Sequence, residues 1–175
     1  MSSVVSNNYT FTENDKIFID TNIWVFLFSP SFIDSAEWQI EKYSTIFSNL
    51  IESNAKIFIS GTVISEFINL CLKTDFNKSF NRDGTKNYKR DYRGSSNYNE
   101  TYSIIINEVK RIFAIPNITL VNDEFSSMYV EELLSQYRQS DFNDLIIYHI
   151  SQEYNLKVLT NDGDFSDFEN IQLIS

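Results

Sequence analysis

Lys16-Ile17-Phe18-Ile19-Asp20-Thr21-Asn22 decides how the rest of the chain is read. Three apolar residues end abruptly in a carboxylate, which is followed by two short hydrogen-bonding side chains. A run of this kind predicts a strand buried on both faces of a parallel sheet. Ile23-Trp24-Val25-Phe26-Leu27-Phe28 comes next and is too apolar for a surface loop. It predicts a buried helix that stops near Ser29-Pro30, because the residue before proline disfavours helix. Asp20 then stands at the C-terminal end of a central strand, where open α/β sheets place their ligands.

Four further segments read as strands. Lys56-Ile57-Phe58-Ile59 is a second buried run. Asn117 to Val121 is more amphipathic and therefore nearer an edge, Lys157 to Thr160 is a fourth strand, and Ile171 to Ser175 is a short fifth at an edge. Helical patterns fill the intervals. One runs from a cap at Asp34 or Ser35 to about Ser53, with Trp38, Ile40, Tyr43, Ile46, Phe47, Leu50 and Ile51 on its core face. Ser60-Gly61-Thr62 turns into a second, Val63 to about Lys73, and Glu100 to Ala114 forms a third. Asp123 to Tyr137 is a fourth, with Phe125, Met128, Tyr129, Leu133 and Leu134 inward, and Ser140 caps a fifth over Asp141 to Tyr154. Met1 to Asp15 is read as a weakly ordered lead-in. The alternation predicts an α/β fold around a mostly parallel sheet of four to five strands.

Length and composition fit a single domain spanning residues 1–175. Hydrophobic residues make up 42% and four Gly and two Pro leave little room for long linkers, so a packed core is expected. No apolar stretch is long enough to span a bilayer, and the N-terminus lacks a signal-peptide pattern. One cysteine, Cys71, excludes an internal disulfide and fits the cytoplasm. Net charge is −10, which by itself disfavours a nucleic-acid partner. The distribution changes that inference. Lys73 to Arg93 holds seven of the fourteen Lys and Arg against three Asp, so this segment carries +4 and the remainder −14. The polar stretch at about 75–99 has no clear periodicity and reads as a long irregular insertion. Its Lys89, Arg90 and Arg93 are candidate phosphate contacts, and Tyr88, Tyr92 and Tyr98 could stack on unpaired bases or simply face solvent.

Four acids share one logic. Asp20 and Asp162 follow strands, while Glu66 and Asp144 lie in the first turns of helices. In a parallel βαβ sheet these positions share one edge. Two carboxylates about 4 Å apart repel by about 4 kcal/mol at an effective dielectric of about 20. A cluster therefore takes up protons or binds cations. Hard oxygen-seeking ions, Mg²⁺ or Mn²⁺, are its natural partners, and no Cys-His set suggests zinc.

Phe18-Ile19-Asp20-Thr21-Asn22, Ser65-Glu66, Asp141-Phe142-Asn143-Asp144-Leu145-Ile146 and Leu159-Thr160-Asn161-Asp162-Gly163-Asp164-Phe165 together resemble the four acidic motifs of PIN-domain proteins. The resemblance spans about Lys16 to Phe165 and is similar to that of the VapC toxins. It implies an α/β/α sandwich and a Mg²⁺- or Mn²⁺-dependent ribonuclease with RNA as substrate. It also implies an antitoxin protein as partner and a homodimer. On the matching positions, Asp20, Glu66, Asp144 and Asp162 are the metal-binding acids, with Asp164 as a further acidic position. Thr21, Asn22 and Thr160 are hydrogen-bonding positions that orient a carboxylate or a phosphate.

Blander roles compete for individual residues. Asp141, at a helix start, is better explained as a cap or a supporting group than as a ligand. His149 lies off the Asp144 face and reads as a core or rim histidine, and Cys71 as packing. A PIN-fold RNA- or protein-binding module without activity, and a structure-specific DNA nuclease, stay open beside the ribonuclease, since telling RNA from DNA needs contacts to the 2′-OH.

Overall fold

The computed structural model describes residues 3–5, 9–30, 37–137 and 140–175. Its strands are β1 (Ser3–Val5), β2 (Lys16–Ile19), β3 (Lys56–Ser60), β4 (Ile118–Val121), β5 (Lys157–Leu159) and β6 (Gln172–Ile174). All pair in parallel, in the spatial order β1-β6-β5-β2-β3-β4. The helices are α1 (Thr21–Phe28), α2 (Glu37–Glu52), α3 (Gly61–Asp75), α4 (Ser96–Phe113), α5 (Val130–Gln136) and α6 (Phe142–Tyr154). None is long and apolar enough to cross a membrane.

The α/β class and parallel sheet follow from the apolar runs. Ile17, Phe18 and Ile19 are wholly buried, as are Val158 and Leu159 beside them, because both faces of the central strands are covered. The Trp24 indole N–H donates to Ile19 O at 3.0 Å, pinning α1 against the strand it leaves. The amphipathic β4 is an edge, with Leu120 65% exposed. Chain order runs outward from β2 through β3 to β4, then returns to β5 on the other side of β2. The switch point lies between β2 and β5, beside Asp20.

Several expectations need correction. The lead-in contributes a strand: Ser3–Val5 pairs with Gln172–Ile174, so β6 has a neighbour on both sides and is not an edge. The proposed caps of α2, Asp34 and Ser35, lie outside the described residues. Trp38, in the first turn of α2, is 66% exposed, and the fully buried positions of that helix are Tyr43 and Leu50. Ser60-Gly61-Thr62 is no turn, because α3 starts at Gly61, directly after β3. Over Asp123 to Tyr137 only Val130–Gln136 is helical. Glu124 adopts a left-handed backbone (φ 52°), which interrupts any helix there. Polar bonds hold the segment instead: the Tyr154 hydroxyl donates to Glu124 Oε1 at 2.6 Å. Met128 is buried, but Phe125 and Tyr129 are 59% and 77% exposed. The residue flanking α6 is Asp141, not Ser140.

The segment 75–99 is ordered rather than irregular. Phe76–Phe80 and Tyr88–Tyr92 each form a π-helical turn, and α4 begins at Ser96. Phe76, Phe80, Tyr88, Tyr92 and Tyr98 stack edge and face against one another at centroid distances between 5.1 and 6.2 Å. Tyr92 is wholly buried, and its hydroxyl donates to Asp75 Oδ2, which also accepts from Thr101 Oγ1. This small aromatic core takes Tyr92 out of reach of any base.

Asparagine marks the entry to four strands. Asn54, Asn117, Asn155 and Asn170, all with φ between 52° and 65°, lie one or two residues before β3, β4, β5 and β6. Asn tolerates this left-handed turn, which stops the preceding segment and redirects the chain into the sheet.

Candidate functional site

Asp20 occupies the position after β2 and is only 3% exposed. The Thr160 hydroxyl, in the position after β5, donates to Asp20 Oδ2 at 2.8 Å and accepts from the Asp162 N–H at 2.9 Å. One threonine thus ties the first acid to the last across the switch point. Thr21, first in α1, donates its hydroxyl to Glu66 Oε2 at 2.8 Å and so joins α1 to the second turn of α3. Asp162 Oδ1 accepts from the Asp164 N–H at 3.0 Å, shaping the 3₁₀ turn Gly163–Asp167. Asp144 lies in the first turn of α6, and Asp141 is the flanking residue of that helix. Asn22 follows Thr21 in α1 and is half-buried.

Burial and neighbouring charge act on these groups together. Burial pushes Asp20 up to about 6, and the charges of Glu66 and Asp162 push the same way, against the bonds from Thr160 and the Thr21 N–H. Burial likewise pushes Asp144 up to about 7, joined by the charges of Asp20, Asp162, Asp141 and Glu66. No cation is paired with any of these carboxylates among the described residues. As they stand, no three Asp, Glu, His or Cys among the described residues form a ready metal cage. The donor set is nevertheless all oxygen, mutually repelling and held at one edge, and it fits a hard divalent ion.

Other candidate residues fall elsewhere. Lys89, Arg90 and Arg93 lie on or beside the second π-helical turn and do not line the cleft at the acidic edge. Arg90 is clamped by its neighbour Asp91, through Nε–Oδ1 at 2.6 Å and Nη2–Oδ2 at 2.7 Å. His149 Nε2 lies 3.1 Å from Ser127 Oγ. Burial pushes the Cys71 thiol up, and its Sγ lies 3.4 Å from Ser29 Oγ, as befits packing.

A cleft of about 510 Å³ opens beside Glu66. Thr62, Ser65, Asn69 and Lys73 line it along α3, with Asp123 and Asn143 among the other lining residues. Asp123 was missed in the sequence because its segment read as helical. It lies two residues past β4, so the rule that singled out Asp20, a carboxylate just after an apolar run, applied to it too. Its Oδ1 accepts the Thr62 N–H at 3.1 Å, satisfying one free donor of the α3 N-terminus.

Comparison with known proteins places the chain. A search of curated proteins gives no match. Among solved structures, VapBC2 from Rickettsia felis, crystallised bound to a DNA fragment from its promoter, has a chain similar in fold. The TM-score is 0.56 at 18% identity, covering 90% of this chain and 96% of that one. The PIN domain profile matches residues 17–171, from the strand that leads to Asp20 to the residue before β6. The chain belongs to the PIN-domain family.

Proposed function

We propose that this protein is a metal-dependent endoribonuclease and the toxin of a toxin–antitoxin pair. The observation that carries the reading is the acidic edge of a PIN fold, where Thr160 ties Asp20 to Asp162 and Thr21 ties α1 to Glu66, with Asp20 and Asp144 pushed above the usual carboxylate range by burial and neighbouring acids. Acids drawn in from solvent and facing other acids, with no counter-cation among the described residues, mark a place prepared for positive charge. Asp20, Glu66, Asp144 and Asp162 would hold Mg²⁺ or Mn²⁺, with Asp164 as a further ligand and Asp141 supporting from the start of α6. When bound, the ion would supply Lewis-acid chemistry, activating water and neutralising charge on the phosphodiester.

The chain's own residues set the geometry. Thr160 fixes the Asp20 carboxylate and the backbone at Asp162, while Thr21 fixes Glu66. Asn22 stands beside Thr21 as a hydrogen-bonding contact for the phosphate. Lys89 and Arg93, with Arg90 between them paired to Asp91, supply a basic surface that attracts a polyanion from further out. The likeness to VapBC2 supports an antitoxin protein as partner, and cytoplasmic action as part of a homodimer completes the proposal.

The test is cleavage of single-stranded RNA by purified protein with Mg²⁺, Mn²⁺ or chelator, alongside Asp20→Asn and a DNA strand of matched sequence. Cleavage that needs metal and falls by about 10²–10³-fold in the variant is expected. Unchanged cleavage in Asp20→Asn would sink the proposal. RNA binding without metal-dependent turnover would return the binding-module reading, and preference for DNA would make the enzyme a deoxyribonuclease.

A further inference from the structure

Glu66 is the only one of the four principal acids that lines the cleft, and the cleft runs away from the acidic edge along α3. Thr62, Glu66, Asn69 and Lys73 follow one another at intervals of four, three and four residues, which places them in one stripe down the helix. Lys73 lies two turns beyond Glu66, about 10 Å along the axis at 1.5 Å per residue. Between the two stands a neutral hydrogen-bonding group, Asn69, with Ser65 and Asn143 also in the lining. The stripe grades from acid to amide to cation.

Lys73 is exposed, and no carboxylate among the described residues pairs with it. Four other cations are engaged: Arg90 with Asp91, Arg111 with Glu108, Lys157 with Asp15, and Lys86 over the Phe80 ring at 4.3 Å. The nearest acid in sequence, Asp75, already accepts from Tyr92 and Thr101. A polyanion leaving the acidic edge along this cleft meets Lys73 as its one cation among the lining residues.

We propose that Lys73 binds a backbone phosphate flanking the scissile one, and that the α3 stripe from Glu66 to Lys73 is the track for one arm of a single-stranded RNA. This rests on the ribonuclease reading. It assigns substrate contact to α3 itself, in addition to the basic turn at Tyr88–Tyr92. Lys73 supplies charge to the strand, and Asn69 hydrogen-bonds beside it.

Binding of a fluorescent single-stranded RNA to the Asp20→Asn protein, followed by anisotropy over a range of salt concentrations, tests the assignment. Adding Lys73→Met should weaken binding several-fold at low salt and reduce the slope of log K against log salt by about 0.7, the value for one single-strand phosphate contact. Lys73→Arg should retain the slope. Lys16→Met, which removes a charge at the opposite end of β2, should leave affinity and slope unchanged. Asn69→Ala should weaken binding without altering the slope. An unchanged slope in Lys73→Met, with RNA still bound, overturns the assignment and leaves the ribonuclease reading standing. Absence of RNA binding by the Asp20→Asn parent and by the unmutated protein overturns both.

Discussion

Asp15 and Asp20 flank the same strand, β2, and are almost equally buried, at 5% and 3% exposure. Their surroundings treat them in opposite ways. Asp15 receives Lys157 Nζ at 2.6 Å, the Tyr9 hydroxyl at 2.5 Å, and both the N–H and hydroxyl of Thr12 at 2.8 and 3.0 Å. Burial pushes its carboxyl up, yet Lys157, Tyr9 and Thr12 together hold it at about 2. Asp20 has the Thr160 hydroxyl and a backbone N–H, no cation among the described residues, and acids for neighbours, and it is pushed up to about 6. Burial alone therefore does not distinguish a structural carboxylate from a functional one. The presence or absence of a cationic partner among the described residues does, because one end of this strand shows how such a group is neutralised and the other withholds it.

Replacing each acid by its amide should separate the two roles most strongly. Asp15→Asn leaves Lys157, only a quarter exposed, without its counter-charge, and should cost about 3 kcal/mol in urea unfolding. Asp20→Asn removes a charge that burial disfavours, so metal-free stability should hold or rise. Equal losses in the two variants would break the comparison and make Asp20 a structural group like Asp15.

Acidity should show the same opposition. Asp15, held below its ordinary value, stabilises the fold above pH 3.8, and that contribution is lost as pH falls toward 2. Asp20 and Asp144 act the other way. Between pH 3.8 and about 7 the folded protein keeps protons that the unfolded chain has released, so their effect is to lower stability as pH rises. The Tm of chelator-treated protein should therefore fall across that window, and less steeply in Asp20→Asn. Mn²⁺ at neutral pH should restore it, by about 2.7 kcal/mol at a hundred times Kd, and should do nothing for Asp20→Asn. A flat profile would mean that Asp20 and Asp144 ionise freely.

How far these features could be read from the chain depended on whether the signal was local. Ile17-Phe18-Ile19-Asp20 carries strand, burial and strand end in four adjacent residues, so β2 and its acid were legible, as were β3 and β5. Thr21 and Thr160 were legible by motif, but their partners, Glu66 and Asp20, lie 45 and 140 residues away and needed the fold. Ser3–Val5 was missed because its strand depends on β6 from the far end of the chain. The π-helical turns were missed because their period is not 3.6, although Phe76/Phe80 and Tyr88/Tyr92 at four-residue spacing hinted at packing. Phe125 and Tyr129 were drawn inward by hydrophobicity alone, whereas Tyr154 and the left-handed Glu124 decide that segment. Asn54, Asn117, Asn155 and Asn170 were visible throughout as single letters before strands, a signal open to any reading that asked what redirects the chain.

A threonine bonded to each acid offers the finest version of the contrast. Thr12 is exposed and gives Asp15 both its N–H and its hydroxyl, beside Lys157 and Tyr9. Thr12→Val keeps the N–H and the ion pair, so it should cost no more than about 0.5 kcal/mol. Thr160 is 1% exposed and serves two groups with one hydroxyl. Thr160→Val strips the side-chain donor from Asp20 Oδ2 and the acceptor from the Asp162 N–H, a loss of about 1–2 kcal/mol at neutral pH. Because the lost donor favours the charged form, Asp20 should move further up, and the fall of Tm with pH should extend to higher pH than in the unmutated protein. RNA cleavage should drop in Thr160→Val and stay unchanged in Thr12→Val. Equal effects of the two valines on Tm and on the pH profile would mean that the hydroxyl at Thr160 only fills space, and that Asp20 owes its position to the backbone alone.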